Sequence, residues 1–155
     1  MFLGRVRRIS TVLALCAACV APPVFAATDR AEDTNQDGRP DTWLEEVGGV
    51  LVALALDRNF DGAVDARTTF DREGRRELEE FDFNFDGEMD DFYHYEEGVL
   101  ARQEVDSNFD GAVDVWVHLV DGLYIARYEQ DTDFDGSPDR SKVFGELPDV
   151  AKGDS

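Results

Sequence analysis

Five acidic phrases of nine residues carry the side chains of this sequence that could do chemistry. They read DTNQDGRPD from Asp33, DRNFDGAVD from Asp57, DFNFDGEMD from Asp82, DSNFDGAVD from Asp106 and DTDFDGSPD from Asp131, and the intervals between their starts differ by a single residue. Oxygen-bearing side chains at positions one, three, five and nine, with Gly at position six, suit a hard cation such as Ca²⁺. A single copy could be an ordinary turn, because Asp, Asn and Gly favour turns without metal. Five copies in register predict up to five calcium sites.

The expected ligands follow from their positions in each phrase, called a loop below. The side chains of positions one and nine are Asp33, Asp41, Asp57, Asp65, Asp82, Asp90, Asp106, Asp114, Asp131 and Asp139. Those of positions three and five are Asn35, Asp37, Asn59, Asp61, Asn84, Asp86, Asn108, Asp110, Asp133 and Asp135. The backbone carbonyl of position seven is a further expected ligand, from Arg39, Ala63, Glu88, Ala112 and Ser137. Only the fifth loop has four carboxylates, so on charge alone we expect it to bind most tightly.

The segments between the loops predict strands rather than helices. Each loop is followed by eight or nine residues to a Gly, and then by eight or nine residues to the next loop. These runs are rich in Val, Phe, Tyr, Trp and Thr, and a Gly at every centre weakens a helix. We therefore predict an all-β fold of tandem antiparallel β-hairpins, a meander or solenoid of about nine strands, with the calcium loops along one edge. Two single-residue excesses in the spacing predict two β-bulges.

The two ends of the sequence lie outside the repeat domain, which covers residues 33–144. Residues 1–26 have a basic start, an apolar run and a small-residue site at Ala26, which is typical of a secretory signal peptide. Residues 27–32 form a short lead and residues 145–155 a flexible tail. We expect an exported protein, periplasmic or secreted, without a transmembrane segment. Acylation at Cys19, giving a lipoprotein, is the minor alternative.

The charge of the chain restricts its partners. The whole sequence has a formal charge of −20, and the segment 1–26 carries three Arg and no acids. Removal of that segment leaves 12 basic and 35 acidic side chains, a formal charge of −23, and no Cys for disulfides. This balance excludes nucleic acid as a natural partner. Calcium ions, and an envelope or extracellular protein or glycan, are the partners that remain.

The loops resemble those of EF-hand proteins, and more closely the DxDxDGxxD hairpin loops of integrin-type propellers and thrombospondin type 3 repeats. In its units of one loop and one hairpin, the segment 33–144 resembles exported bacterial proteins built from tandem hairpins with such loops. The resemblance implies calcium binding and a structural or surface role without a catalytic set. One feature departs from the EF-hand: position twelve, which would hold a bidentate Glu, is Leu44, Thr68, Tyr93, Val117 or Lys142. Its loss implies dissociation constants of roughly 10⁻⁴–10⁻³ M, as in extracellular modules.

The residues favour a binding or structural function over catalysis. His94 and His118, the two histidines, are expected on non-adjacent strands, and no Ser lies in a nucleophile elbow. We therefore expect no enzyme. One interpretation is a calcium-rigidified structural or adhesive module of the cell envelope; the alternative is a metal buffer or scavenger of calcium or lanthanides. Position four is Phe in four loops, and we expect these rings to stack between neighbouring loops; an exposed aromatic stripe for a partner is the alternative.

Overall fold

The structure, a computed structural model, describes residues 30–144, which form ten strands. The strands are β1 Arg30–Glu32, β2 Thr42–Val47, β3 Val50–Leu56, β4 Ala66–Phe70, β5 Arg76–Phe81, β6 Asp91–Glu96, β7 Val99–Val105, β8 Val115–Val120, β9 Tyr124–Gln130 and β10 Arg140–Val143. The proposed signal peptide and the tail from residue 145 lie outside the described residues. The alternation of β-branched and aromatic residues with short polar turns fits a pleated sheet, which explains why strands form on both sides of every loop.

The ten strands form one sheet in sequence order, and every neighbouring pair is antiparallel. The prediction of an all-β hairpin meander is confirmed. Each strand pairs only with its sequence neighbours, and the sheet stays open, with β1 and β10 at its two edges. The strand number is ten rather than nine because Arg30–Glu32, assigned to the short lead, pairs with Thr42–Leu44 of β2.

The β-bulges occur in all four hairpins, so the expectation of two was wrong. The register shifts lie between Glu45 and Glu46, Thr69 and Phe70, His94 and Tyr95, and His118 and Leu119. The two extra residues in the sequence spacing instead lengthen turns. The strand ends Phe70 and Arg76 pair across five turn residues and Val120 and Tyr124 across three, whereas Val47 and Val50 pair across two.

The buried residues of this sheet are mostly aspartates. The buried apolar side chains of residues 30–144 are three alanines: Ala53, Ala55 and Ala66. The buried polar set is larger and consists of Asp41, Asp57, Asp65, Asp82, Asp90, Asp91, Asp106, Asp114 and Asp131. Eight of these nine are position-one or position-nine residues of the loops. The most deeply buried side chains of residues 30–144 are therefore acidic and lie at the loops, whereas most apolar side chains of the strands are only half-buried.

Candidate metal centres

The five loops lie in a row at one end of the strands, because they alternate along the chain with the hairpin turns, which lie at the other end. A backbone ladder joins each loop to its neighbour: the position-one N–H donates to the position-nine carbonyl of the preceding loop. The four bonds run from Asp57 to Asp41, from Asp82 to Asp65, from Asp106 to Asp90 and from Asp131 to Asp114, with lengths of 2.7–2.9 Å. The loops are therefore fixed to one another through the backbone as well as through the strands.

Inside each loop, the position-one carboxylate accepts backbone N–H groups from the turn that follows. One oxygen accepts from the Gly at position six, at 2.7–2.8 Å in every loop. The other accepts from position four, position five or both. These bonds wrap the chain around the carboxylate and satisfy its oxygens, which explains how Asp82 and Asp131 become buried.

Positions three and five continue the same wrapping. The Asn oxygen at position three accepts the N–H of position five. In the second loop, for example, Oδ1 of Asn59 accepts the N–H of Asp61 at 2.9 Å, and the N–H₂ group of Asn59 donates to the Asp61 carboxylate at 2.8 Å. In all five loops the position-five carboxylate also accepts the N–H of position seven, at 2.8–3.0 Å. Each of these oxygens keeps further acceptor capacity, because a carbonyl or carboxylate oxygen has two lone pairs. The backbone thus fixes the orientation of the position-five carboxylate in every loop, and the Asn of position three is bonded to it in the first four.

The position-nine carboxylate closes each loop by accepting the N–H of position two, and in the first three loops also that of position three. The position-two side chain distinguishes the loops from one another. A hydroxyl there donates to position nine in three loops: Thr34 to Asp41, Ser107 to Asp114 and Thr132 to Asp139, at 2.6–2.8 Å. The ligand pattern of the loops does not include position two, but the residue types Thr, Ser and Thr at that position are the sequence signal for this difference.

The second loop has Arg58 at position two and therefore no such hydroxyl. Oδ2 of Asp65 accepts the N–H groups of Arg58 and Asn59, at 2.6 and 3.0 Å. Oδ1 of Asp65 is buried and has no hydrogen-bond partner. A buried polar atom without a partner is unfavourable by roughly 1–3 kcal/mol, and more when it is charged. The residues of this loop therefore fit a cation, which would satisfy this oxygen.

Within residues 30–144, two groups of carboxylates lie close enough together to hold a metal ion. In the second loop, oxygens of Asp57, Asp61 and Asp65 all lie within 4.8 Å of one another. In the fifth loop the same holds for Asp131, Asp133 and Asp135. The first group joins positions one, five and nine, and the second joins positions one, three and five. The remaining expected ligands, including the position-seven carbonyls, remain predictions.

The fifth loop shows the electrostatic effect of its additional carboxylate. The charge of Asp135 is the largest cause that raises the pKa of Asp133, and the charges of Asp131 and Asp139 act in the same direction. For Asp131, burial alone would raise the pKa, but hydrogen bonds from the N–H groups of Gly136, Asp135 and Phe134 hold it below its usual value. Repulsion among these carboxylates is the condition that a bound cation relieves.

Position four has a left-handed backbone in every loop, including the four with Phe. The φ angles are 58–64° for Gln36, Phe60, Phe85, Phe109 and Phe134. This conformation is unfavourable by roughly 1–2 kcal/mol for a residue with a side chain, so the loop bonds must impose it. The Phe rings are 43–51% exposed. The ring–ring contacts in residues 30–144 are Phe81–Phe83 and Phe81–Tyr93, so the expectation that the rings of position four stack on one another was wrong.

The two histidines are each engaged by a glutamate of a neighbouring strand. Nε2 of His94 lies 2.9 Å from Glu104, and Nε2 of His118 lies 3.2 Å from Glu129. The strands of the two histidines, β6 and β8, are separated by β7, as expected from the sequence. These side chains belong to the sheet face and not to the loops.

Comparison with known proteins gives little further information. No family model matches the chain, and no curated protein matches it. Among solved structures, it is similar to a crystal structure of accessory secretory protein 1, 2 and 3 in Streptococcus pneumoniae, with 19% sequence identity and a TM-score of 0.45. The match covers 62% of this chain and 18% of that chain, and it carries no argument about function.

Within residues 30–144, no helix is long and apolar enough to cross a membrane.

Proposed function

We propose that this protein is an exported calcium-binding protein with a structural or adhesive role in the cell envelope, in which bound cations order and stiffen the hairpin sheet. The single observation that carries the proposal is the unpartnered, buried Oδ1 of Asp65, inside a group of three carboxylates. A solvated acidic turn would not need to bury that oxygen. The fifth loop also brings three carboxylates together, and the same phrase, which occurs five times in register, is the basis for including the other loops in the proposal.

The electrostatics of the loops support a divalent cation. Asp57 and Asp65 are both buried, with oxygens no more than 4.8 Å apart. Two unit charges at that distance repel by about 3.5 kcal/mol at an effective dielectric constant of about 20. A divalent cation between such groups replaces this repulsion with attraction. Oxygen ligands, without Cys or His in any loop, favour Ca²⁺ over transition metals.

In this proposal each residue of a loop has a defined task. The side chains of positions one, three, five and nine and the carbonyl of position seven hold the ion, which supplies positive charge and binds to several oxygens at once. The Gly at position six permits the turn, since its φ is 86–100° in all five loops. Because the apolar core is three alanines, cation binding would contribute a large share of the folding free energy.

Calcium titration calorimetry on the chain from Ala27 onward tests the proposal. We expect up to five sites with dissociation constants of roughly 10⁻⁴–10⁻³ M. The matched variant Asp61→Asn keeps the shape of the second loop and removes one carboxylate, so it should reduce the heat assigned to one site. Absence of calcium uptake at millimolar concentration would contradict the proposal. Nanomolar affinity for lanthanides with little for calcium would instead support the metal-scavenger interpretation.

A further inference from the structure

The two edge strands of the sheet differ in their place within the repeat. β10 follows the fifth loop and therefore corresponds to β2, β4, β6 and β8, the first strands of the four hairpins. β1 precedes the first loop and corresponds to their second strands, β3, β5, β7 and β9. Each edge is thus half of a hairpin whose other half is absent from residues 30–144. The strand that would complete the hairpin at β10 is therefore of the same kind as β1, and the strand that would complete the hairpin at β1 is of the same kind as β10.

The backbone at these edges is directed so that the two halves could pair. The N–H of Phe144 donates to Ala126 of β9, and since backbone groups alternate along a strand, those of Ser141 and Val143 face away from β9. The carbonyl of Glu32 accepts the N–H of Asp41 on the β2 side, which leaves the groups of Ala31 facing outward. Backbone groups that face away from every other strand of residues 30–144 are a template for strand pairing.

The loop ladder also continues across such a junction. The N–H of position one donates to the preceding position-nine carbonyl at four places in the sheet. Asp33 has no preceding loop within the described residues, and Asp139 has no following one. An Asp33 N–H and an Asp139 carbonyl from two molecules would form a fifth bond of the same kind.

The register of the existing hairpins fixes how the two edges would align. The residue after each loop pairs with the residue before the next one: Thr42↔Leu56, Ala66↔Phe81, Asp91↔Val105 and Val115↔Gln130. Applied to the edges, this rule places Arg140 of one molecule opposite Glu32 of the other, which is a favourable cross-strand charge pair. It also places Ser141 opposite Ala31, two small residues that are both exposed.

We propose that the β10 edge of one molecule pairs with the β1 edge of a second copy, so that the hairpin sheet and its row of loops extend from molecule to molecule. The contact is heterologous and leaves one edge open at each end, so it propagates as a linear assembly. Lys142 would lie opposite Arg30, and like charges at a cross-strand pair lower the affinity. Arg30 already forms an ion pair with Glu32 of its own strand. The contact is therefore expected to be weak and to require a high local protein concentration.

Other pairings of the two edges would bring different charged residues together. Pairing of β10 with a second β10 would bring Arg140 and Lys142 of both molecules together, and this basic contact is unfavourable. Pairing of β1 with a second β1 could match Arg30 with Glu32, but it would place the two rows of loops on opposite sides. Residues 145–155 of the same chain could also cover β10. The experiment separates these arrangements.

Cysteine crosslinking tests the proposed register, because the chain from Ala27 onward contains no Cys. Ala31→Cys and Ser141→Cys change little volume, and Cα atoms in a hydrogen-bonded antiparallel pair lie about 5.5 Å apart, which suits a disulfide. After mild oxidation with millimolar calcium, we expect an equimolar mixture of the two single variants to form the mixed 31–141 dimer. The double variant should form a ladder of covalent multimers. Lys142→Cys, on the opposite face of β10, is the matched control and should crosslink with Ala31→Cys at least fivefold more slowly.

Several results would overturn the proposal. Ala31→Cys alone dimerising as fast as the mixture would indicate β1–β1 pairing. Equal crosslinking of Ser141→Cys and Lys142→Cys would indicate random collision. Protection of the Ser141 amide from hydrogen exchange at high dilution would show that the same chain covers β10. The contact uses strand edges and no loop side chain, so calcium uptake without crosslinking would refute this assembly and leave the proposed function intact.

Discussion

The hydroxyl at position two gives a sharp test of the metal site, because it competes with a cation for the position-nine carboxylate. In the fourth loop, Ser107 Oγ donates to Oδ1 of Asp114 at 2.7 Å. In the second loop, the corresponding oxygen of Asp65 has no partner, since position two is Arg58. Arg58→Ser should supply the hydroxyl, stabilise the metal-free loop and weaken cation binding there.

The upper limit of the effect is the full strength of the hydroxyl bond, which applies where the hydroxyl occupies the lone pair that the cation would use. A hydrogen bond to a charged group contributes about 1.5–3 kcal/mol, and about 1.4 kcal/mol corresponds to a tenfold change in an equilibrium constant. Full competition would therefore raise the dissociation constant of the second loop by about tenfold to a hundredfold. The converse change, Ser107→Ala, should free Asp114 and tighten the fourth loop by a similar factor.

A calcium titration followed by amide NMR gives a signal for each residue, so it measures the affinity of each loop separately. The position-six amides of Gly62 and Gly111 donate to the position-one carboxylates of the second and fourth loops, so their shifts report each site separately. Arg58→Ala is the control, because it removes the same positive charge and adds no hydroxyl. Equal affinities of Arg58→Ser and Arg58→Ala at the second loop would refute the reasoning.

Three further outcomes are expected. In chemical denaturation, Gly98→Ala should lower the free energy of unfolding more than Gly49→Ala does. Both glycines have φ +81°, but only a Cβ at position 98 would meet another side chain, the Cβ of Arg75 at 3.0 Å. Equal losses of stability would contradict this prediction. Asp91→Asn should stabilise the metal-free protein at neutral pH, since burial above all raises the pKa of Asp91 and its ionised form is unfavourable in the fold. That gain should vanish as the pH falls through the raised pKa, and a gain independent of pH would argue against burial as its source. Asp110→Ala should increase hydrogen exchange in β7 and β8 more than in β2 and β3, and uniform exchange would contradict nearest-neighbour coupling.

Much of the fold could be predicted because the sequence repeats its turn chemistry at nearly constant spacing. Gly at position six and Gly at each hairpin turn mark where the chain reverses, and the residues between them have β propensity. The strand Arg30–Glu32 could not be predicted, since its three residues become a strand only by pairing with β2. The bulges escaped prediction as well, because the sequence spacing counts residues without telling whether an extra one lies in a strand or a turn.

The residue types of the candidate sites could be predicted from the sequence, but the differences in hydrogen bonding between one loop and another could not. The spacing identifies the carboxylates that wrap each loop, and Asp57, Asp61 and Asp65 do converge. The carboxylate count predicts the fifth loop as the tightest, but it does not reveal that Asp139 is exposed and accepts a hydroxyl from Thr132. Such differences depend on which oxygen each hydrogen bond occupies. A sequence pattern states the residue types and not those bonds.

Hydrogen exchange of residues 30–144, measured with millimolar calcium and then with excess chelator, tests the central claim most directly. If cations at the acidic loops order the sheet, chelation should accelerate exchange of the strand amides throughout the hairpins, and added calcium should restore their protection. Strand protection that is the same in chelator as in calcium would contradict the claim.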